Sequence, residues 1–318
     1  MQSVLFVKTS SLGDVVHHMP AVTDARKRFA GAKLSWVVEE PFAPLARLHP
    51  AIDEVIPVAT RRWRSRLLKP STWSDIADAL RTLRDCHFDK VVDTQGLIRS
   101  ALIARRAGGE RHGYDSSSIK EPLASRFYDV THRVPQDLHA VTRNRMLTAA
   151  ALGYRLAETE GVDYGLRREP AGTKQAILLH GSSRASKEWS EAHWTDLGRW
   201  LRREGFEIAL PWGTDSERRR AERLASGINE AQVIERSPLD VLAAQLKNAA
   251  LVVGVDTGLL HLAAAYGVPT VGIFVGSDPA LTGPIGSGPV QVVGRLDAKP
   301  DVIATIAAVE AVMMQSVQ

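Results

Sequence analysis

Residues 251–265 read LVVGVDTGLLHLAAA, and this stretch decides how the rest of the chain is interpreted. The run LVVGV is apolar at nearly every position, which is typical of a strand in a parallel sheet that helices cover on both faces. Asp256, Thr257 and Gly258 follow this strand, and an apolar helical pattern follows them. A buried strand that runs through a short polar turn into a helix predicts an α/β fold with ligand loops at the carboxyl ends of its strands.

The same alternation of strand and helix patterns continues along the whole chain. In the first half we predict strands at 4–7, 34–38, 54–58 and 90–93, and helices at 15–29, 72–84, 97–107 and 137–151. In the second half we predict strands at 176–180, 207–210, 232–234, 251–255, 270–274 and 290–293. Each half is therefore expected to form a doubly wound α/β domain, and the two domains are expected to face each other across a central cleft.

The chain has 318 residues, which at roughly 150 residues per domain corresponds to two domains. A polar, glycine-containing stretch at 158–174 predicts the boundary, so we divide the chain into domains 1–160 and 161–318. The last helix is expected to begin near Asp301, after Pro300. Its runs of Ala, Val and Ile predict that it packs on another element, for which the first domain is one candidate.

Composition excludes several classes of protein. The hydrophobic fraction of 44% and the charged fraction of 24% are ordinary for a globular protein and wrong for a disordered one. No stretch approaches the roughly 18 uninterrupted apolar residues of a membrane span. Lys8 interrupts the first apolar run, which argues against a signal peptide, so we expect a cytoplasmic protein. The single cysteine, Cys86, excludes a disulfide within the chain and a cysteine-based metal site.

The positive charge lies in the first half of the chain. Residues 1–160 contain 24 Lys and Arg against 18 Asp and Glu, whereas residues 161–318 contain 16 against 18. This asymmetry predicts an anionic partner for the first half, which could be nucleic acid, phospholipid or a phosphorylated or carboxylated substrate.

The first candidate segment, KTSSLGD at residues 8–14, follows the first predicted strand. Gly13 would permit close approach of the backbone, and Asp14 could act as a general base on a hydroxyl nucleophile. The alternative is that Asp14 caps the following helix. If Pro20 occupied the first helical position, Asp14 would lie six residues upstream and would not be a cap.

The second candidate segment, HGSSRASKEW at residues 180–189, follows the first strand of the second half. Serine hydroxyls and a lysine ammonium suit a phosphate group, although a solvated polar loop would have the same composition. The segment lacks the glycine before the lysine and the following Ser or Thr of a P-loop, and no G-x-G-x-x-G follows the first strand. These absences argue against P-loop ATPases and nicotinamide dehydrogenases.

Asp256, Thr257, Gly258 and His261 form the third candidate. Thr257 and Gly258 would present backbone N–H groups at a helix N-terminus, which favours a diphosphate. His261 shares their helix face, although a single histidine at such a position is often part of the core. Asp256 beside an anion would be unfavourable unless it accepts hydrogen bonds from sugar hydroxyls or neighbouring N–H groups.

A basic run, RRWRSR at residues 61–66, is followed by Lys69. Five cations within nine residues repel one another, so the run is either solvated or faces an anion. Basic residues around an aromatic are also found in single-strand nucleic-acid sites, but only one aromatic lies inside this run. A membrane surface or a polyanionic acceptor would explain the same residues.

Several motifs occur in a fixed order: KTSSLGDVVH near the N-terminus, WVVEE at 36–40, IPVATRRWR at 56–64, DTQGLIRSA at 93–101, LPWG at 210–213 and VDTGLLHLAAA at 255–265. Together they resemble the lipopolysaccharide heptosyltransferase family over almost the whole chain. The D-T-G-x-x-H-L-A motif is common to that family. The K-T-S-S-x-G-D and R-R-W-R segments are similar to the members that add the first heptose, the heptosyltransferase I type.

The resemblance implies an inverting GT-B glycosyltransferase made of two Rossmann-like domains. It implies that the N-terminal domain binds the acceptor, the 3-deoxy-octulosonate (Kdo) sugar of Kdo2-lipid A. The C-terminal domain would bind the donor, ADP-L-glycero-β-D-manno-heptose. Enzymes of this fold generally need no catalytic metal, so we expect no metal or other cofactor. An acceptor anchored in the inner leaflet implies a peripheral position on the cytoplasmic face of the inner membrane.

The resemblance also assigns roles to individual residues. Asp14 matches the general base, and Lys187 matches the diphosphate-binding lysine. The other donor-site matches are Ser182, Ser183, Glu217 at the ribose, Ser237 near the base, Asp256, Thr257, Gly258 and His261. The acceptor-site matches are Ser10, Ser11, Gly13, Gln95, Arg61, Arg62 and Arg64.

Two alternatives remain at this stage. One is the enzyme that adds the second heptose in the same pathway. The other is a non-catalytic two-lobed protein that binds an anion or nucleic acid through its arginine cluster, although we expect no nucleic-acid partner.

Overall fold

The computed structural model describes residues 1–66, 68–157, 159–168, 172–182 and 185–316. The chain divides into two compact units, Met1–Gly165 and Leu166–Gln318. This division falls inside the stretch where the sequence predicts the boundary. Each unit contains its own six-stranded sheet.

The first unit is built on a sheet in which all neighbouring strands are parallel. Its strands are β1 (Ser3–Val7), β2 (Lys33–Glu39), β3 (Glu54–Val58), β4 (His87–Asp93), β5 (Gly108–Tyr114) and β6 (Val130–His132). Their order across the sheet is β3-β2-β1-β4-β5-β6. The strand order therefore reverses between β1 and β4, as in doubly wound dinucleotide-binding folds.

Among the described residues of this unit, six helices and two 3₁₀ turns, Glu40–Phe42 and Pro122–Phe127, connect or follow these strands. The helices are α1 (Leu12–Arg28), α2 (Ala43–Arg47), α3 (Thr60–Ser65), α4 (Pro70–Asp85), α5 (Ile98–Ala104) and α6 (Ala140–Leu152). α1 and α6 pack against each other. Leu83 of α4 and Ile103 of α5 are buried in one apolar cluster with Leu5 and Val91 of the sheet. This packing covers the apolar side chains that the parallel strands would otherwise expose.

Two strands of this sheet, β5 and β6, were not predicted from the sequence. β5 reads GGERHGY, and only its last three residues are buried, so it has neither an apolar run nor an alternating pattern. β6 has three residues. Both strands are held by backbone pairing with their neighbours rather than by apolar side chains.

Helix α1 begins earlier than the sequence pattern indicates. The helix was expected at 15–29, but it starts at Leu12, so Pro20 lies inside it rather than at its first position. The amide of Ser11 donates a hydrogen bond to Oδ2 of Asp14, the third helical residue, at 2.6 Å. A carboxylate in the first turn accepts an amide that lacks a helical partner and interacts well with the helix dipole. This early start outweighs the loss of one helical hydrogen bond at Pro20.

The second unit repeats the parallel architecture, and all six of its predicted strands are present. They are β7 (Gln175–Leu179), β8 (Glu207–Leu210), β9 (Gln232–Val233), β10 (Leu251–Val255), β11 (Thr270–Ile273) and β12 (Val290–Val293). Their order is β12-β11-β10-β7-β8-β9, so the reversal lies between β7 and β10. β10 is buried at every position, in agreement with its apolar sequence.

The helices of this unit are α7 (Glu191–Arg203), α8 (Asp215–Gly227), α9 (Leu239–Asn248), α10 (Gly258–Ala265), α11 (Pro279–Thr282) and α12 (Val302–Gln315), with a 3₁₀ turn at Ala185–Lys187. Trp194 and Leu197 of α7 are buried in the core beside Val253. The terminal helix α12 packs on β11, β12 and α7. Its apolar partner is therefore the second sheet, where the sequence had left the first domain as a candidate.

No helix within the described ranges combines the length and the hydrophobicity that a membrane-crossing segment requires.

The sheet of the first unit predicts a large effect for a small change at Gly113 in β5. A Cβ atom there would lie 2.2 Å from Cε2 of Tyr128, whose hydroxyl donates a hydrogen bond to Oδ2 of Asp93 at 2.8 Å. We expect Gly113→Ala to lower the free energy of unfolding by about 1–3 kcal/mol, because the ring must move and the buried hydrogen bond must stretch. The measurement is the urea midpoint of unfolding.

Gly31→Ala is the matched control, because a Cβ atom at Gly31 has no neighbour within 4 Å. Its midpoint should equal or slightly exceed that of the unsubstituted protein. Equal midpoints for the two variants would contradict the tight packing of Tyr128 on β5.

Candidate active site

Most of the predicted site residues follow the strands that flank the two reversals of strand order. Lys8–Asp14 follows β1 and Gln95 follows β4 in the first unit. Residues 180–187 follow β7 and Asp256–Gly258 follows β10 in the second unit. In doubly wound sheets the crevice at such a reversal is where ligands bind, because the loops on either side turn to opposite faces. Each unit therefore carries its own candidate site.

The loop after β1 is fixed by Gln95. Its side-chain oxygen Oε1 accepts hydrogen bonds from the backbone amides of Thr9 at 2.9 Å and Ser10 at 3.0 Å. Nη2 of Arg99 donates to the hydroxyl of Ser10 at 2.9 Å. Gln95 and Ser10, both assigned to the acceptor, are thus brought together. The side chain of Gln95 holds the loop by accepting hydrogen bonds from the loop's backbone amides.

Asp14 lies in the first turn of α1, where Gly13 precedes it. Its Oδ2 accepts hydrogen bonds from the amide of Ser11 at 2.6 Å and from the Ser11 hydroxyl at 3.0 Å. The capping alternative raised by the sequence is therefore real, although Ser11 is the N-cap residue and Asp14 the third helical residue. Both hydrogen bonds go to one oxygen, and the residue is only partly buried. Capping and access to a ligand are compatible in this geometry.

A buried lysine lies beneath this loop. Nζ of Lys8 donates to the carbonyl of Thr94 at 2.9 Å, and the residue is only 6% exposed. Burial lowers the pKa of Lys8, whereas the carboxylates of Asp14 and Asp93 raise it. Burial likewise raises the pKa of Asp93, against the hydrogen bond from Tyr128. Burial is the larger effect, so the pKa of Lys8 is lowered overall, and its ammonium group lies within electrostatic reach of Asp14.

The three arginines assigned to the acceptor lie on α3, after the carboxyl end of β3. Arg62 forms ion pairs with Glu40 at 3.3 Å and Asp75 at 2.7 Å. The guanidinium of Arg61 lies 5.8 Å from the ring centre of Phe42. Arg61 and Arg64 are exposed. Arg62 is also exposed, but its guanidinium already pairs with two carboxylates of the protein.

In the second unit the polar and charged side chains of the candidate site lie around Asp256. Its Oδ2 accepts hydrogen bonds from Nζ of Lys187 and, at 2.6 Å, from the hydroxyl of Ser277. Nε2 of His261 lies 3.5 Å from Oδ1. Burial alone raises the pKa of Asp256, but the hydrogen bonds from His261, Lys187 and Ser277 outweigh burial and hold this pKa well below its ordinary range. Asp256 is therefore a fixed negative charge.

Helix α10 begins immediately after this cluster. Thr257 is its N-cap residue and Gly258 its first residue. Residues 256–259 are partly exposed, whereas residues 260–265 are buried. The free N–H groups of the first turn are therefore at the accessible end of the helix, where a diphosphate would be stabilised.

Glu217 is the third residue of α8 and caps it. Its Oε2 accepts hydrogen bonds from the amides of Gly213 at 2.7 Å and Thr214 at 2.9 Å. Its other oxygen faces the loop after β7, because a Cβ atom on Gly181 would lie 2.7 Å from Oε1. Glu217 and this loop are therefore adjacent.

Three further donor-site predictions concern serines. Ser237 follows β9, and its hydroxyl donates to the carbonyl of Glu235 at 2.9 Å. Ser182 lies next to Gly181 and is partly exposed. Ser183 lies outside the described residues.

Several side chains near the two candidate sites were not predicted from the sequence. Arg143 donates to the carbonyl of Ser118 at 2.6 Å and its guanidinium lies 4.8 Å from the ring centre of Tyr114. Arg143 also lowers the pKa of Lys8, which puts it within electrostatic reach of the β1 loop. Arg99 and Ser277 were also missed. Ser277 follows β11 in the sequence FVGSDP, and a polar turn after a buried strand was the available signal.

The chemistry of the candidate site in the first unit differs from that in the second unit. The first offers a carboxylate with nearby cations, which suits removal of a proton from a hydroxyl group of an anionic molecule. The second offers a lysine, a histidine and a helix N-terminus, which suit a diphosphate. Within the described part of the chain, no three His, Cys, Asp or Glu side chains are grouped so that they could hold a metal ion.

Comparison with known proteins gives consistent relatives. The family model of glycosyltransferase family 9 (heptosyltransferase) matches residues 76–308. The lipopolysaccharide heptosyltransferase 1 of Pseudomonas aeruginosa is 44% identical over 295 residues, which cover 91% of this chain and 83% of that protein.

Two solved structures cover 98% of this chain and 99% of theirs, at 38% identity. They are the Escherichia coli heptosyltransferase WaaC with ADP, with a TM-score of 0.90, and the same enzyme with ADP-2-deoxy-2-fluoro heptose, with a TM-score of 0.86. With the family model covering most of the chain and both parallel sheets in common with these structures, the chain belongs to glycosyltransferase family 9, the heptosyltransferases, and is a glycosyltransferase of the GT-B fold.

Proposed function

We propose that this enzyme transfers L-glycero-D-manno-heptose from ADP-heptose to a Kdo hydroxyl of Kdo2-lipid A, with inversion at the anomeric carbon. The observation that carries the proposal is the similarity, at 38% identity over nearly the whole chain, to a heptosyltransferase solved with ADP and with an ADP-heptose analogue. The 44% identity to a lipopolysaccharide heptosyltransferase 1 supports the first heptose as the one transferred.

The donor half of the mechanism rests on the second unit. Inversion requires a single in-line displacement in which negative charge develops on the departing ADP. Lys187, the N–H groups at the start of α10 and His261 would stabilise that charge. The cluster around Asp256 supports this role, because it keeps the Lys187 ammonium beside the helix N-terminus. Since these groups supply the positive charge, we propose that transfer requires no metal ion.

The acceptor half rests on Asp14 as the general base. Ser11 donates both of its hydrogen bonds to Oδ2, so Oδ1 is the oxygen that would accept the proton of the Kdo hydroxyl. The Kdo carboxylates and the lipid A phosphates are anions, and Arg61, Arg64 and Arg99 are the cations that would meet them. This assignment is supported by the exposure of Arg61 and Arg64 and by the hydrogen bond from Arg99 to Ser10.

The proposed reaction is tested by incubating the enzyme with ADP-heptose and Kdo2-lipid A and following the products by mass spectrometry. We expect one heptose to be added to bare Kdo2-lipid A at the same rate with and without a chelator. Transfer only to an acceptor that already carries one heptose would reassign the enzyme to the second step. Loss of transfer on chelation, with recovery on addition of a divalent metal, would contradict metal independence.

The base assignment predicts that Asp14→Asn lowers kcat by on the order of 100-fold or more while ADP affinity is retained. The amide oxygen of asparagine can still accept the Ser11 amide, so the start of α1 is preserved and only the basic oxygen is lost. The control is Asp196→Asn, an exposed carboxylate on α7, which should leave kcat unchanged. Turnover close to that of the unsubstituted enzyme in Asp14→Asn would remove this carboxylate from the chemistry.

We further propose that the enzyme works peripherally on the cytoplasmic face of the inner membrane. Support comes from the surface formed by α3 and the start of α4. It carries the exposed cations Arg61, Arg64, Arg66 and Lys69. Leu68 is fully exposed and Trp73 is 59% exposed. Because β1 and β3 are parallel, this surface and the Asp14 loop lie at the same edge of the first sheet. Each cation near an anionic bilayer contributes about 1 kcal/mol.

This surface predicts binding to vesicles that contain phosphatidylglycerol and weak binding to neutral phosphatidylcholine vesicles. Trp73→Ser should weaken the partition coefficient about tenfold, because the apolar area of an indole is no longer buried in the bilayer. Ile303→Ser on α12 is the control, since Ile303 is 73% exposed in the second unit. Equal losses for both variants, or equal binding to both lipids, would contradict the proposed surface. Sedimentation with the vesicles measures the partition.

A further inference from the structure

Arg220 is a buried cation that contacts the two residues following Lys187. It lies on α8 and is 7% exposed. Nη1 donates to the carboxylate of Glu188, and Nη2 donates to the backbone carbonyl of Trp189. A guanidinium can be buried at low cost only where such partners are in place, so the geometry of this contact is closely determined.

The partners of Arg220 come directly after Lys187 in the chain. Trp189 is fixed a second time, since its indole N–H donates to the carbonyl of Pro300 at 2.8 Å and its ring packs edge-on against Trp194 at 5.1 Å. The backbone that follows Lys187 is therefore held from two sides. The lysine side chain is a flexible stem of four carbons. The region that its ammonium can reach is therefore set by where the backbone holds Lys187.

Helix α8 contacts the same loop at its other end. Glu217 lies one turn before Arg220 and adjoins Gly181. Gly181 and the segment Glu188–Trp189 thus contact different side chains of α8. Between these supports, Lys187 reaches Asp256, and its side chain is 20% exposed.

We propose that Arg220 is a positioning residue that sets the affinity for the nucleotide diphosphate by holding Lys187 in place. This inference rests on the proposed binding of an ADP-sugar by the second unit. Arg220 itself touches neither the phosphates nor the sugar in this account. Arg220 affects ADP affinity only by fixing the backbone of Glu188 and Trp189, which in turn fixes Lys187.

The test is a double-mutant cycle on ADP binding, measured by isothermal titration calorimetry with the full chain. We expect Arg220→Met to weaken ADP binding about tenfold, the scale of a lost charged hydrogen bond. Lys187→Ala should weaken binding at least as much. In the Lys187→Ala background, Arg220→Met should change the affinity by less than about twofold, because the group it positions is absent. Independent effects that multiply would overturn the proposal.

Two controls separate positioning from general damage. Adenosine shares the base and ribose of ADP but lacks the phosphates, so its affinity should be unchanged in Arg220→Met, and an equal loss for adenosine and ADP would contradict the proposal. Arg219→Met removes an exposed arginine from the same helix and should leave ADP affinity unchanged.

Further variants guard against failure to fold. If Arg220→Met does not give a cooperative thermal transition, Glu188→Gln weakens the same contact from its 34% exposed side and should reduce ADP affinity about threefold. Arg220→Lys should recover part of the loss, since it can keep one of the two contacts. No loss in Glu188→Gln would overturn the inference. Absence of ADP binding by the unsubstituted protein would instead refute the proposed donor site.

Discussion

The reversal of strand order in each parallel sheet is the constraint on which the placement of the site residues depends. Between β1 and β4, and again between β7 and β10, the connections turn to opposite faces, and the loops after these strands are left open at the carboxyl edge. Lys8–Asp14, Gln95, Lys187 and Asp256 all follow one of these four strands. In the first sheet, Lys8–Asp14 and Gln95 are more than 80 positions apart in sequence, yet the pairing of Val7 with Asp93 makes their loops neighbours.

Asp14 and Glu217 illustrate why capping and function need not compete. Each is the third residue of a helix that follows a strand, and each accepts backbone amides at the helix start through one carboxylate oxygen. The helix dipole and the amides fix the carboxylate in direction and stabilise its charge. In Glu217 the second oxygen, Oε1, lies beside Gly181 in the loop after β7. An acidic residue in the first turn can therefore stabilise the helix through one oxygen and still serve a ligand through the other.

The sequence predicted the elements that bury apolar side chains and missed those held by backbone pairing. β10 was recognisable because all five of its residues are buried, whereas β5 has a polar first half and packs through Tyr128 on Gly113. The candidate site residues were proposed from motifs that occur in a fixed order along the chain. Arg220 was not, because its partners lie 32 and 31 positions earlier and only the fold brings them together. The same holds for Arg99 and Ser10, which are 89 positions apart.

The side chains around Asp256 hold Lys187 in a position where it can meet a diphosphate. A carboxylate held ionised beside a diphosphate site would repel the ligand if it stood alone. Here Lys187, Ser277 and His261 surround it, and its charge holds the lysine ammonium close to the start of α10. When a diphosphate arrives, the ammonium can be shared between Asp256 and a phosphate oxygen without a large movement. Part of the organisation of the site is therefore completed before the ligand binds, and it depends on how firmly the backbone next to Lys187 is held.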